Sequence, residues 1–347
     1  MSQISPDKPV KLIVVAGKNS PELSVLSKLP QSIEVVGIGK PEDFAHLTPD
    51  ECSSISVLLN CGVGENAGKK HDVQALWGKL PNLKWMHSAS AGLEHLLFQE
   101  MVDSDIVLTN AKIYCPSGSN QGVYSNSLAE FSLLACKWFA MDVPRLLKAK
   151  RDRQWAPFEV EELRGKIMGV IGFGDIGKAC GRLGKAYQMK VLGLRRKTEI
   201  SSSEAAIVDK MYRPDQICEL MSMCDYVVVS TPYTPDTHHL VSAEAIAAMK
   251  PNAVLVNVGR GKCINEAALI EALSSKKIRG AALDVFETEP LPTDSPLWEL
   301  ENALITPHCA DRTKEFQVES IEFFVSNAER FVNGEELMNV CDKRSGY

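Results

Sequence analysis

Apolar positions along this chain follow two rhythms, short unbroken runs and longer stripes recurring every third or fourth residue, and their order predicts alternating strands and helices. The first run, residues 10–16, is followed by strand-like pieces at 34–36, 56–59, 83–87 and 106–109, with helix-compatible segments between some of them. This predicts a small α/β domain. Over 126–154 a long pattern puts Leu128, Phe131, Leu134, Ala135, Trp138 and Phe139 on one helical stripe, broken once at Pro144, and reads as helix linking two domains. Six more runs follow, at 166–171, 191–194, 225–230, 253–258, 279–283 and 303–306, of the continuous kind expected of parallel strands buried on both faces. Helical patterns separate them. In the one at 175–187, Ile176, Ala179, Cys180, Leu183 and Ala186 form a stripe suited to lie on a sheet. A doubly wound sheet is the predicted result. Residues 313–333 are helical again, with Gly334 as the stop.

Length and charge narrow the classes. At 347 residues the chain is long for one core, and roughly 150 residues per domain suggests two. With 45% hydrophobic and 24% charged residues it has the composition of an ordinary globular protein, which argues against a disordered chain. A net charge of −6 offers no overall attraction to nucleic acid, and the longest basic cluster is Arg195-Arg196-Lys197. No window approaches the roughly 20 apolar residues that span a bilayer, so no membrane partner is expected. Ten cysteines without CxxC or CxxH pairs, and no apolar segment in the polar opening, point to reduced thiols in the cytoplasm. No internal repeat or low-complexity tract stands out.

Chemistry first becomes visible at "GVIGFGDIG". Gly172-Phe173-Gly174-Asp175-Ile176-Gly177 directly follows a predicted strand and opens a predicted helix, the context in which GxGxxG has physical meaning. Gly172 permits the tight turn, Gly174 lets backbone N–H groups approach a pyrophosphate, and Gly177 lets the helix pack closely on the strand. A glycine-rich turn without ligand is the plain alternative. About 20 residues beyond the motif an NAD site places a carboxylate for the ribose hydroxyls. This chain has Arg195 there, followed by Arg196 and Lys197. A guanidinium has only donors and a fixed charge, so it suits a 2′-phosphate better than a diol, and NADP(H) is expected over NAD(H). Otherwise the three form a solvated cluster at a strand end, with Glu199 as a surface partner.

Three later strands end in residues suited to hydride chemistry: "NVGRG" with Arg260, "DVFETEP" with Glu289 and "LITPHCADRT" with His308. All three can meet at the carboxyl edge of the sheet, where open α/β folds bind ligands. Hydride delivery to a ketone leaves an alkoxide needing a proton, and histidine is matched to giving one near neutral pH. Glu289 can hydrogen-bond the ring, and Arg260 can pair with a substrate carboxylate in two-point geometry while polarising the ketone. Singly, each also reads as an ordinary salt bridge, surface carboxylate or turn histidine.

The ordered set, running through "GVIGFGDIG", "MKPNAVLVNVGRGKCINEAALIEAL" and "GAALDVFETEPLPTDSPLWELENALITPH", resembles the D-isomer-specific 2-hydroxyacid dehydrogenase family. The likeness covers most of residues 163–313 and extends more weakly to "LKWMHSASAGLEHL". It implies Arg260 as the substrate-binding catalytic arginine, His308 as the acid/base and Glu289 as its supporting carboxylate. It also implies that "STPYTPDTHHL", with Thr231, Pro232 and Thr237, lines the cofactor together with Val258, Gly259 and Asp284, and that Asp284 helps organise the site. In the first domain it implies a carboxylate-binding loop at 88–93, with the backbone of Ala91 and Gly92 as contacts. Gly92 reads equally as an ordinary turn glycine.

The implied architecture is two doubly wound α/β domains around a cleft. A flavodoxin-like substrate domain, residues 1–125, is completed by the C-terminal helix 314–347; a Rossmann nucleotide-binding domain spans 126–313. The implied protein is a homodimer that takes a small 2-oxo or 2-hydroxy acid and needs no metal. The arginine at the second strand's end and the "LKW" segment are most similar to NADPH-dependent glyoxylate/hydroxypyruvate reductases. Two departures stand out: the long stretch "KIYCPSGSNQGVYSNS" before Leu128, and Asp311 with Arg312 beside His308 where small or apolar residues are common. Three alternatives remain at this level. One is a dinucleotide-sensing scaffold like the corepressors that share the fold; another is an NAD-dependent relative acting on another 2-hydroxy acid. A formate dehydrogenase, the third, is disfavoured because that branch pairs its histidine with glutamine rather than with a residue like Glu289.

Overall fold

The computed structural model describes residues 9–61, 68–90, 92–93, 96–112, 122 and 124–344. The chain divides into two compact units, Met1–Val123 with Arg312–Tyr347, and Tyr124–Asp311.

The first unit holds five parallel strands, β1 (Val10–Val15), β2 (Ile33–Gly39), β3 (Ile55–Asn60), β4 (Trp85–Ser88) and β5 (Val107–Asn110), in the order β2-β1-β3-β4-β5. This is the flavodoxin-like doubly wound order. Alternate residues of β1 serve opposite cores: Leu12 and Val14 pack with Val57, Leu59 and Trp85, whereas Ile13 and Val15 pack with Leu58 and Met86. Both faces are covered, so the strands read as continuous apolar runs rather than alternating ones. Part of one face is covered by the helix Lys314–Val332, which adds Ile321, Phe324, Val325, Ala328 and Phe331. Phe324 stacks on Trp85 with ring centroids 5.0 Å apart. Thr313 Oγ1 caps that helix by accepting from Phe316 N at 3.0 Å, and Gly334, at φ +71°, follows its end.

The second unit is a seven-stranded parallel sheet of β6 (Ile167–Ile171), β7 (Lys190–Leu194), β8 (Lys210–Tyr212), β9 (Tyr226–Val229), β10 (Val254–Asn257), β11 (Gly280–Leu283) and β12 (Ala303–Ile305). The order is β12-β11-β10-β9-β6-β7-β8, the Rossmann arrangement extended by one strand. β8 is not anticipated by the apolar pattern. At three residues on the sheet edge it is too short to show a period.

The expected long helix over 126–154 is two helices, Ser125–Ala140 and Val143–Arg151, both within the second unit. The break lies two residues before Pro144, at Asp142, whose φ of 47° is left-handed. Pro144 instead sits in the first turn of the second helix, where a missing N–H costs nothing. Leu134 also departs from its expected stripe and is exposed. Among the described residues, no helix is long and apolar enough to cross a membrane.

Candidate active site

β6 lies between β7 and β9, where the strand order reverses and a crevice opens beyond the carboxyl ends. Gly172 leaves β6 at φ +92°, and a Cβ there would stand 2.9 Å from Thr231 N. At Gly177 a Cβ would meet Gly172 O at 2.4 Å, so only glycine lets the helix Asp175–Ala186 approach the turn this closely. Gly174 caps that helix, and a Cβ there meets nothing within 4 Å; the backbone opens onto space a ligand can enter. Phe173 is buried beneath the turn and Ile176 is half-buried. Asp175 accepts a hydrogen bond from Ser125 Oγ.

The facing wall is equally specific. Thr231 Oγ1 is buried and lacks a hydrogen-bond partner among the described residues, a cost of the kind a bound polar ligand removes. Thr237 Oγ1 holds the adjoining turn by donating to Pro232 O at 2.7 Å. Val258 and Gly259 follow β10, and a Cβ on Gly259 would approach Thr231 O to 2.7 Å. The orphaned hydroxyl and the glycine cradle fit a dinucleotide.

Arg195 follows β7, but its guanidinium does not stand open as the sequence suggests. Nη1 and Nη2 donate to Glu204 Oε1 and Oε2 at 2.7 and 2.9 Å, and Nε and Nη2 donate to the carbonyls of Lys197 and Glu199 at 2.6 and 2.5 Å. Glu199, the surface partner of the solvated-cluster alternative, meets Arg195 through its backbone carbonyl. Glu204 is the residue the sequence reading missed. The signal was "SSSE": Ser201 and Glu204 have the spacing of a capping box, and Ser201 N donates to Glu204 Oε2 at 3.0 Å. The side chains of Arg196 and Lys197 are exposed.

Arg260, Asp284, Glu289 and His308 follow β10, β11 and β12 and gather at one corner. His308 Nδ1 donates to Glu289 Oε2 at 2.7 Å, while Glu289 Oε1 accepts from Phe286 N at 3.0 Å. With Nδ1 committed to a carboxylate, Nε2 is the ring atom left to exchange a proton with a ligand. The Glu289 hydrogen bond raises the pKa of His308 above its ordinary value, against burial. Burial alone would raise that of Glu289, but the His308 contact brings it below the usual range. Arg260 lies close enough to depress His308 slightly, and its Nη1 donates to Gly259 O at 2.8 Å.

Asp284, 1% exposed, fixes the loop that carries His308. Its Oδ1 accepts from Thr306 Oγ1, Cys309 N and Ala310 N at 2.6, 2.9 and 3.1 Å, and its carbonyl accepts from His308 N at 2.9 Å. His308 itself is held at φ +49°, an uncommon conformation for a side-chain-bearing residue that this clamp sustains. Asp311, on the same loop, is a carboxyl whose pKa burial raises. The buried phenol of Tyr124 lies in the field of Asp175, Arg260 and Asp311; no sequence motif marked it. Gly92 is half-buried after β4. Ala91, and residues 113–121 and 123 of the long stretch before Leu128, lie outside the described residues.

Residues 137–310 match the family model "D-isomer specific 2-hydroxyacid dehydrogenase, NAD binding domain". A D-3-phosphoglycerate dehydrogenase from Methanocaldococcus jannaschii is 34% identical over 76% of this chain, which spans about half (48%) of that protein's length. A glyoxylate reductase from Thermofilum pendens is 30% identical over 74% of this chain and 74% of its own. Among solved structures, the NADPH-dependent glyoxylate/hydroxypyruvate reductase SmGhrA from Sinorhizobium meliloti, in complex with NADP and sulfate, superposes with a TM-score of 0.76 at 25% identity, over 98% of this chain and 100% of that one. With its Rossmann sheet, glycine turn and strand-end set of Arg260, Glu289 and His308, the chain belongs to the NAD(P)-dependent D-isomer specific 2-hydroxyacid dehydrogenase family.

Proposed function

We propose that this protein reduces a small 2-oxo acid of the glyoxylate or hydroxypyruvate type to the D-2-hydroxy acid, with NADPH as preferred reductant and His308 as proton donor. The observation that carries the reading is the His308–Glu289 hydrogen bond at the carboxyl edge of the sheet. It holds a protonatable ring with one nitrogen committed and the other available. A reduced nicotinamide supplies the hydride. Arg260 takes the substrate carboxylate and polarises the ketone, His308 delivers its Nε2 proton to the alkoxide, and Glu289 stabilises the imidazolium until it does.

The glyoxylate reductase relative and the NADP-bound structural neighbour support the substrate class and the cofactor. Arg196 and Lys197 supply the positive charge at the strand end. A panel of 2-oxo acids with NADPH and NADH tests the assignment. Glyoxylate and hydroxypyruvate should lead in kcat/KM, NADPH should exceed NADH, and chiral analysis of the hydroxypyruvate product should find D-glycerate. Turnover of simple ketones at equal rate, or an L product, would refute it.

The assembly we propose is a homodimer paired through the second unit. Leu146, Leu147, Trp155 and Val160 are all exposed along one stretch of that unit, with Trp155 at 98%, and apolar surface of this kind marks association. Sedimentation should find twice the chain mass, and Trp155→Glu should shift the protein toward the monomer; a monomeric wild type would contradict the assignment.

A further inference from the structure

The carboxylate of Glu204 occupies the position of greatest interest for cofactor choice. Arg195 has five N–H groups, and each is directed at a protein acceptor: Nε at Lys197 O, Nη1 at Glu204 Oε1 and, at 3.5 Å, Phe173 O, and Nη2 at Glu204 Oε2 and Glu199 O. Glu204 is 4% exposed and is held from three sides, by the Arg195 fork, by Lys178 Nζ at 2.9 Å and by Ser201 N at 3.0 Å. Both partners shift as a mutual pair requires. The Arg195 hydrogen bond takes the Glu204 carboxyl far below the usual range, and the Glu204 hydrogen bond raises Arg195. Opening the pair would strand a buried carboxylate, which is strongly unfavourable.

We infer that Glu204 is a specificity-determining residue for the cofactor: by claiming the Arg195 guanidinium and neutralising its charge, it withdraws Arg195 from recognition of the 2′-phosphate and leaves that task to Arg196 and Lys197. The inference rests on the dinucleotide site proposed above. Its consequence is tolerance. An arginine at this position that faced the ribose would favour a phosphate strongly, whereas the paired arginine has its donors and its charge already taken. NADH is then disfavoured only by the absence of a phosphate for Arg196 and Lys197.

Three variants read this directly through the NADPH/NADH ratio of kcat/KM at one ionic strength. Glu204→Gln keeps the shape and removes the neutralising charge, so the ratio should rise about tenfold, the low end of one charge-assisted contact. Binding of adenosine 2′,5′-bisphosphate should tighten by a similar factor while AMP binding does not. The double variant Arg195→Met/Glu204→Leu removes the pair and its charges together. Its ratio should stay within about threefold of wild type, and it serves equally if Glu204→Gln proves unstable. Arg196→Ala should lower the ratio roughly tenfold. An unchanged or reduced ratio in Glu204→Gln, or a collapse of the ratio in the double variant, overturns the inference, because Arg195 would then be reading the phosphate itself. A wild type that prefers NADH refutes the NADPH reading alone; a rise of the ratio in Glu204→Gln then still supports the role of Glu204, and no rise overturns it.

Discussion

Replacing His308 with alanine is expected to lower kcat for 2-oxo acid reduction by about 10²-fold or more, the scale of general acid catalysis, while dinucleotide binding survives. The expectation rests on one ring whose Nδ1 is committed to Glu289 and whose loop is pinned by Asp284. Near-normal turnover in a folded His308→Ala protein would remove it from the mechanism. The same hydrogen bond fixes the pH dependence. Reduction needs the imidazolium, and Glu289 raises the pKa of His308. Activity should therefore be full at pH below that raised pKa and decline as pH rises through it. Glu289→Gln removes the charge that favours imidazolium, so the decline should move to lower pH. The oxidation direction needs the neutral ring and should show the opposite slope. A pH profile unmoved by Glu289→Gln would break the link between the two residues.

The second large effect is expected at Arg260. Asn257 Nδ2 donates to Arg260 O at 3.1 Å, and Asn257 Oδ1 accepts from Gly259 N at 3.1 Å, so one buried amide sets the turn from which the arginine projects. Lysine at this position keeps the charge but loses the planar pair of donors that matches a carboxylate. With roughly 1.5–3 kcal/mol for each charge-assisted contact, Arg260→Lys should lower kcat/KM for a 2-oxo acid by about one to two decades. The loss should shrink for a ketone lacking the carboxylate. Equal losses on both substrate types would mean that Arg260 acts on the ketone alone.

The parallel sheets and the glycine turn were legible in the sequence because each is encoded locally. A strand buried on both faces reads as an apolar run, and Gly172 and Gly177 stand where no side chain fits. Arg260, Glu289 and His308 were legible through their place after successive strands. What escaped was decided by partners remote in sequence or by geometry too short for a period. Arg195 was visible as a charge, but its engagement by Glu204 depends on how eight intervening residues fold back. β8 has only three residues. The helix break was placed at Pro144 by propensity, whereas the chain turns at Asp142 and uses the proline to start the next helix. Asp284 was anticipated as an organiser, but the three donors it collects on one oxygen come from residues 22 to 26 positions away.

The Trp85–Phe324 stack has a consequence for the order in which the protein is made. The first unit is discontinuous, with its second segment beginning only at Arg312, so a ribosome completes the whole of the intervening unit first. Until Ile321, Phe324, Val325 and Phe331 emerge, one face of the β1–β5 sheet, including Trp85, has no cover from them. At bacterial or eukaryotic elongation rates of about 5–20 residues per second, nearly 200 residues of delay leave that apolar face waiting on the order of 10–40 s. The inserted Rossmann unit, continuous in sequence, can fold in that interval. The nascent chain can therefore carry a folded later-made unit while the earlier-made sheet still lacks this cover.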